Sequence, residues 1–350
     1  KLIEATDLGG DKPILDPNQK GNAFAPDFAS KDAAFENGNN VAKQICEEGM
    51  ILLKNDNNAL PLAKGAKVTV FGRNSIDLVY GGSGSAAPGK SSNPAYQKKY
   101  GWRKTINDSL KEAGFSINPE MEKFYSKQKV RDPEPGLEDA SGQQKAVATL
   151  FPGEASYDKY TDPVKQSYGQ YGDAALIVVS RIAGEGWDLP RQAYDSDSRH
   201  YLELDNAERQ LIKEVAASGK FKKIILLLNG SNYVDLGFLY ERTNSAEYNE
   251  FGKYIDAVIN IGSPGANGIM ALGGILNGTV NPSGHTVDTV YTAYQNDPTW
   301  QNFGGNKSYL TPNGSDNYTR NGSSSDYYLV EYEENIYLGY RYYETRGKVE

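Results

Sequence analysis

A carboxyl with unusual neighbours is the first candidate for chemistry. Glu185 stands between Gly184 and Gly186, a few residues beyond the apolar run at 174–180, and Trp187 follows close behind. Two flanking glycines leave the approach to the carboxyl open, so a residue placed there can project into a crevice. An adjacent indole excludes water, which penalises the ionised form and raises the carboxyl pKa, and it offers a flat face to a sugar. Those are the requirements of a general acid in glycoside hydrolysis. Position alone gives equal weight to a solvated loop glutamate.

Other candidates carry less. The segment Gly81-Gly82-Ser83-Gly84-Ser85 could cradle a phosphate, but no glycine-spaced turn directly opens a helix there, no Gly-Lys-Ser/Thr occurs, and Pro88 follows soon after. Neither nucleotide fingerprint is met, which leaves a plain loop or one whose backbone and hydroxyls meet a polar ligand. Gly82-Ser83-Gly84 is the nearest approach to a nucleophile elbow and falls short of the Gly-x-Ser-x-Gly pattern. His200 and His285 are far apart and neither has a second ligand at metal spacing, so no metal site and no cofactor are expected. Cys46 is the only cysteine, which excludes a disulfide framework and leaves the redox compartment open. With Val41, Ala42 and Ile45 around it in a helical pattern, it reads as a small apolar residue.

These residues need elements to hold them. Short apolar runs at 51–53, 68–71, 174–180, 224–228 and 257–261 predict strands. Amphipathic stretches at 31–49, 105–113, 119–127, 206–218 and 265–276 predict helices between them. Strands that are apolar throughout, each followed by a helix, predict a three-layer α/β/α sandwich with a mostly parallel sheet covered on both faces. The Gly- and Ser-rich segments follow the strands: 81–85 after the second, Gly184-Glu185-Gly186 after the third, Asn229-Gly230-Ser231 after the fourth and Gly262-Ser263-Pro264-Gly265 after the fifth. In open α/β sheets the ligand crevice lies at the carboxyl ends of the strands, so these loops are expected to share one edge.

Both ends of the sequence differ in composition. Residues 1–30 mix Gly, Pro, Asp and Asn without a period and predict an irregular arm; residues 31–290 form the sandwich. Residues 291–350 form a Tyr-rich surface extension, a Tyr/Asn/Gly-rich insertion followed by a return segment in which Ile336 and Leu338 are expected to pack back on the domain. The formal net charge is −8 with Lys and Arg scattered, which argues against nucleic-acid binding. The longest apolar run, 224–228, is far too short to cross a bilayer. A signal or anchor upstream of Lys1 would not be visible; the Asn-, Ser- and Tyr-rich surface leans towards a secreted or cell-surface setting, and homo-oligomerisation is left open.

Three segments resemble one known family. They are EGMILLKNDNNALPL at 48–62 with KVTVFG and YGGSGSA after it, ALIVVSRIAGEGWDLP at 175–190, and IGSPGANGIMALGGILNGTVNPSG at 261–284. The tyrosine-rich stretches at 332–337 and 339–343 follow at a distance. In this order the segments are similar to the α/β sandwich (C-terminal-type) domain of glycoside hydrolase family 3 β-glucosidases.

The resemblance implies a retaining β-glycosidase that removes terminal non-reducing β-D-glucosyl residues from β-linked oligosaccharides or aryl and alkyl β-glucosides. Glu185 takes the place of the family's general acid/base. Gly84 and Ser85 lie in the loop that borders the sugar pocket, with Ser85 as a hydroxyl contact, and Trp187 flanks the leaving group. The aspartate nucleophile belongs to a (β/α)8 barrel, which this sequence lacks. Ser325-Asp326-Tyr327 is similar to the nucleophile motif but sits in a Ser/Gly/Asn-rich segment and not at a strand end, so it is rejected. The irregular start favours the reversed domain order, with a fibronectin type III-like domain and the barrel expected to follow residue 350. A non-catalytic carbohydrate-binding or structural module is the alternative from another class, and a β-xylosidase is the alternative for the sugar.

Overall fold

The computed structural model describes residues 28, 30–81, 103–128, 153–182, 192–193, 196–239, 251–290, 297–299 and 332–346. The chain divides into two compact units, Lys1–Ala42 and Lys43–Glu350. Helix α1 spans Lys31–Gly49. The Ser30 hydroxyl caps its start by accepting the Ala33 N–H at 3.1 Å.

In the second unit the described residues form a six-stranded sheet and a two-stranded hairpin. The strands are β1 (Ile51–Asn55), β2 (Lys67–Phe71), β3 (Ser116–Ile117), β4 (Ala174–Ser180), the hairpin β5 (Gln192–Ala193) and β6 (Ser196–His200), then β7 (Ile224–Asn229) and β8 (Ala257–Gly262). The large sheet runs β1-β8-β7-β4-β2-β3. Its neighbours are parallel except for β1, which pairs antiparallel with β8.

The apolar strands serve two cores. Alternate side chains of a strand point to opposite faces, and here both faces are apolar. From β4, Ala175, Ile177 and Val179 enter one core, while Leu176 and Val178 enter the other. From β7, Leu226 and Leu228 face the first core, and Ile225 and Leu227 the second. Each of the valines, leucines and isoleucines among them stabilises the fold by about 1.5–3 kcal/mol when fully buried.

Two helical layers cover these faces. The first core includes Met121 and Phe124 of α3 (Pro119–Ser126), Val164 of α4 (Asp162–Ser167), and Leu211 and Val215 of α5 (Asn206–Ala217). The second includes Leu110 of α2 (Ile106–Glu112) with Leu272 and Ile275 of α6 (Ala271–Asn277). Helices α2, α3 and α5 start with capping chemistry. Thr105 with Asp108 and Asp205 with Glu208 form capping boxes, and Asn118 caps α3 ahead of Pro119. Helices α2 and α6 touch closely at Gly273, where an added Cβ would lie 2.5 Å from the Ser109 carbonyl oxygen.

The α/β/α expectation holds, with additions. The two-residue β3, the hairpin and α4 are too short or too polar for periodicity to reveal, and α6 starts at Ala271 after a turn at Gly268–Met270. The return segment also differs. Ile336 and Leu338 are 59% and 45% exposed, ahead of helix α7 (Tyr340–Arg346). One contact of this stretch is polar: the Tyr343 hydroxyl donates to the buried Asp297 carboxylate at 3.0 Å. Residues 1–27, most of the insertion, and Ser325-Asp326-Tyr327 lie outside the described residues.

Candidate active site

Glu185, Trp187, Gly84 and Ser85 also lie outside the described residues, and what the structure describes is the frame from which their segments leave. Strands β2, β4, β7 and β8 end side by side: Phe71 pairs with Ile177, Ser180 with Asn229, and Asn229 with Gly262. The loops after these strands therefore leave from one edge.

Asn229 ties that edge together. Its buried side-chain oxygen accepts from the Val79 N–H at 2.8 Å and the Ser180 hydroxyl at 3.0 Å. Its amide nitrogen donates to the Val79 carbonyl at 3.0 Å and the Gly262 carbonyl at 2.8 Å. One side chain thus joins the loop after β2, two residues before Gly81, to the ends of β4 and β8. Its amide group makes all four bonds it can make. The next residue, Gly230, has φ 135° and lies so near β4 that an added Cβ would sit 2.3 Å from the Arg181 carbonyl oxygen, so only glycine fits.

The segment from Gly82 to Trp102 also has its flanks held. The Tyr80 hydroxyl donates to the Lys104 carbonyl at 2.9 Å, and the Tyr80 carbonyl accepts from the Gly265 N–H at 2.8 Å. The Arg103 guanidinium lies 4.6 Å from the Tyr80 ring centroid and 3.6 Å from Asp77 Oδ1. Burial first, and the Asp77 charge second, push the Tyr80 phenol up to about 12.

Beyond β4 the chain is anchored by a buried ion pair. Arg181 is 2% exposed and meets Glu208 with both ends of its fork, Nη1 to Oε1 at 2.9 Å and Nη2 to Oε2 at 2.8 Å. Its Nε donates to the Tyr201 carbonyl at 2.6 Å, and its Nη1 to the Ser180 carbonyl at 2.7 Å. Tyr201 in turn clamps the peptide groups of Ile182, accepting the N–H at 2.8 Å and donating to the carbonyl at 2.9 Å. Glu185 follows three residues later in the sequence, and the chain re-enters the described structure where Gln192 pairs with His200. Burial pushes the Tyr201 phenol up to about 12, against the pull of Arg181.

On the other core the root of the β2 loop meets a buried acid. Glu154 accepts the Arg73 N–H at 2.6 Å and the Ala155 N–H at 2.9 Å, and the phenols of Tyr125 and Tyr160 each lie 3.1 Å from its Oε1. The Tyr125 oxygen also accepts the Gly72 N–H at 2.7 Å. Burial raises the Glu154 carboxyl above its ordinary value, opposed by these donors. A carboxyl raised on folding binds its proton more tightly in the native state, so its stabilising contribution is complete below the unfolded value, about 4.3, and is lost as pH rises through the folded value. Urea unfolding of wild type and Glu154→Gln between pH 4 and 8 is expected to show wild type losing ground to the variant as pH rises. A difference that stays constant with pH would contradict the assignment.

None of these supporting residues was singled out from sequence. Arg181 and Asn229, each a polar residue ending or following an apolar strand, carried a visible signal, as did the Asp205-x-x-Glu208 pattern. Tyr201 and Glu154 carried none, because the partners that give them their place, Ile182 for the first and Arg73 and Tyr125 for the second, lie well away along the chain. His200, dismissed as a metal ligand, uses Nδ1 to accept the Leu202 N–H at 3.1 Å. Cys46 packs at the margin of the second core, where burial raises its thiol pKa.

Comparison with known proteins extends this frame. Residues 50–340 match the family model described as the glycosyl hydrolase family 3 C-terminal domain. The chain is 28% identical over 340 residues to beta-glucosidase A of Butyrivibrio fibrisolvens, covering 89% of this chain and 34% of that protein. Among solved structures it is similar to beta-glucosidase 3B from Thermotoga neapolitana in complex with alpha-D-glucose, with TM-score 0.63 and 26% identity over 92% of this chain and 38% of that one. A beta-glucosidase from Paenibacillus barengoltzii gives TM-score 0.64 and 25% identity, over 88% and 28%. The chain thus spans about a third of the length of these relatives.

Proposed function

This chain belongs to glycosyl hydrolase family 3 through its C-terminal domain, and we propose that it supplies the acid/base half of a retaining β-glucosidase active site. The observation that carries the reading is the root of the Glu185 segment. Ile182 is fixed at the carboxyl edge of the central strand β4, and Glu185 stands three residues on between two glycines.

The mechanism needs two carboxyl groups about 5–5.5 Å apart. In the first step an aspartate of a (β/α)8 barrel outside this sequence attacks the anomeric carbon. Glu185, protonated, gives its proton to the departing glycosidic oxygen. In the second step Glu185, now a carboxylate, takes a proton from water as that water attacks the same carbon and releases the aspartate. Trp187 flanks the leaving group, Ser85 contributes a hydroxyl to the sugar, and Gly84 lets the backbone approach it. Glucose is the sugar taken, in keeping with the relatives' names.

The test is complementation. This chain alone is expected to leave an aryl β-glucoside intact, and the protein that also contains the barrel is expected to hydrolyse it. Hydrolysis by the isolated chain would place a nucleophile within it and overturn the division of roles.

A further inference from the structure

One hydroxyl serves two groups at the place where the Glu185 segment begins. Tyr201 accepts the Ile182 N–H at 2.8 Å and donates to the Ile182 carbonyl at 2.9 Å. A phenol has one hydrogen to give and lone pairs to receive, so both bonds form at once. They fix the two peptide planes on either side of Ile182, and with them the direction in which the chain continues.

Tyr201 is itself immobilised. It is 2% exposed, and its carbonyl accepts from Arg181 Nε at 2.6 Å. The Arg181 guanidinium lies 5.7 Å from its ring centroid and is held by Glu208. The guanidinium also donates to the Glu203 carbonyl, so the turn that follows Tyr201 is tied to the end of β4 at two points. A buried charge and a buried phenol thus converge on the end of β4, the first at the Ser180 carbonyl and the second at the peptide groups of Ile182. β4 is paired with β7 as far as Ser180 but with β2 only as far as Ile177, so past the sheet these side chains hold the chain.

We infer that Tyr201 is a positioning residue for the acid/base step, its hydroxyl setting the direction in which the chain leaves β4 towards Glu185. This rests on the proposed role of Glu185. A general acid works within a hydrogen-bond distance of about 2.6–3.2 Å, and a displacement of 1 Å costs up to about 10²-fold. With the hydroxyl removed, the peptide groups of Ile182 bond to water instead, and the departure angle relaxes while the buried ring stays in place.

The test uses the barrel-containing protein and two substrates measured on the same preparation. Dinitrophenyl β-glucoside has a leaving group that needs little protonation, whereas methyl β-glucoside needs a proton. The ratio of their kcat/KM values does not depend on how much of a variant is folded. For Tyr201→Phe the ratio is expected to shift about 10-fold towards the activated substrate, and azide is expected to raise kcat on that substrate by intercepting the glycosyl-enzyme without a base. Arg181→Lys, which keeps the charge and loses the fork, is expected to shift the ratio in the same direction. Tyr168→Phe removes another buried hydroxyl away from this edge and is expected to leave the ratio at the wild-type value.

If Tyr201→Phe and Arg181→Lys match Tyr168→Phe while Glu185→Gln shifts the ratio strongly, the positioning role is wrong and the acid/base role stands. A Glu185→Gln protein with an unshifted ratio overturns both.

Discussion

Glu185→Ala in the barrel-containing protein is expected to slow hydrolysis of methyl β-glucoside by about 10²–10⁴-fold, the range over which a positioned proton donor contributes. Dinitrophenyl β-glucoside should lose much less in its first step, because its leaving group departs without a proton. The second step then becomes limiting, since the variant has no base to activate water. Azide, which needs none, should restore turnover and leave β-glucosyl azide as the product. Retention of the β configuration in that product follows from two successive inversions at the anomeric carbon. Unchanged hydrolysis of the methyl glucoside would remove Glu185 from the mechanism and leave the chain as a binding or structural module.

Much of this frame was legible because it rests on local patterns. Strands β4 and β7 are apolar at every position but their last and could only be interior strands with both faces covered. The loops beyond them were thereby placed on one edge. Glu185 stands out in the sequence as a carboxyl between glycines beside a tryptophan, and its role as acid/base is what the family resemblance implies. What escaped notice is the support. Tyr201 is one tyrosine among 25, and nothing near it in sequence tells that its hydroxyl meets a peptide at position 182. The two-residue β3 shows no period, and the direction of β1 follows from its pairing with β8 rather than from its own side chains.

The second large effect concerns that support. Glu208→Ala is expected to destabilise the chain by about 3–5 kcal/mol, because it leaves the Arg181 guanidinium buried without its counter-charge. It also removes one arm of the capping box, in which Glu208 Oε2 accepts the Asp205 N–H at 3.0 Å. Against a typical total of about 5–15 kcal/mol, that is a substantial part of the stability of a domain. Replacing both partners, Arg181→Met with Glu208→Leu, is expected to recover part of the loss, since the charge goes with its partner while the carbonyls of Ser180, Tyr201 and Glu203 and the Asp205 N–H lose theirs. Urea unfolding of the three proteins at neutral pH measures this. A loss below about 1 kcal/mol for Glu208→Ala would mean that the carbonyls of Ser180, Tyr201 and Glu203 satisfy the cation by themselves.

The pairing of β1 with β8 sets a clock on biosynthesis. Residues 51–55 find their partners only at residues 257–260, and ribosomes add about 5–20 residues per second. Some two hundred residues thus separate the appearance of β1 from that of the strand that receives it, an interval of about 10–40 s. Throughout it, Ile51-Leu52-Leu53 is an unpaired apolar strand on a nascent chain, open to the wrong neighbour. Lys54 follows directly, and a charge in such a run disfavours association between chains. In the finished fold that lysine is turned to use, its ammonium donating to the carbonyls of Gly252 and Ile255 at 2.8 and 2.6 Å beside Asp56. One side chain that guards the strand while it waits also latches it once its partner arrives.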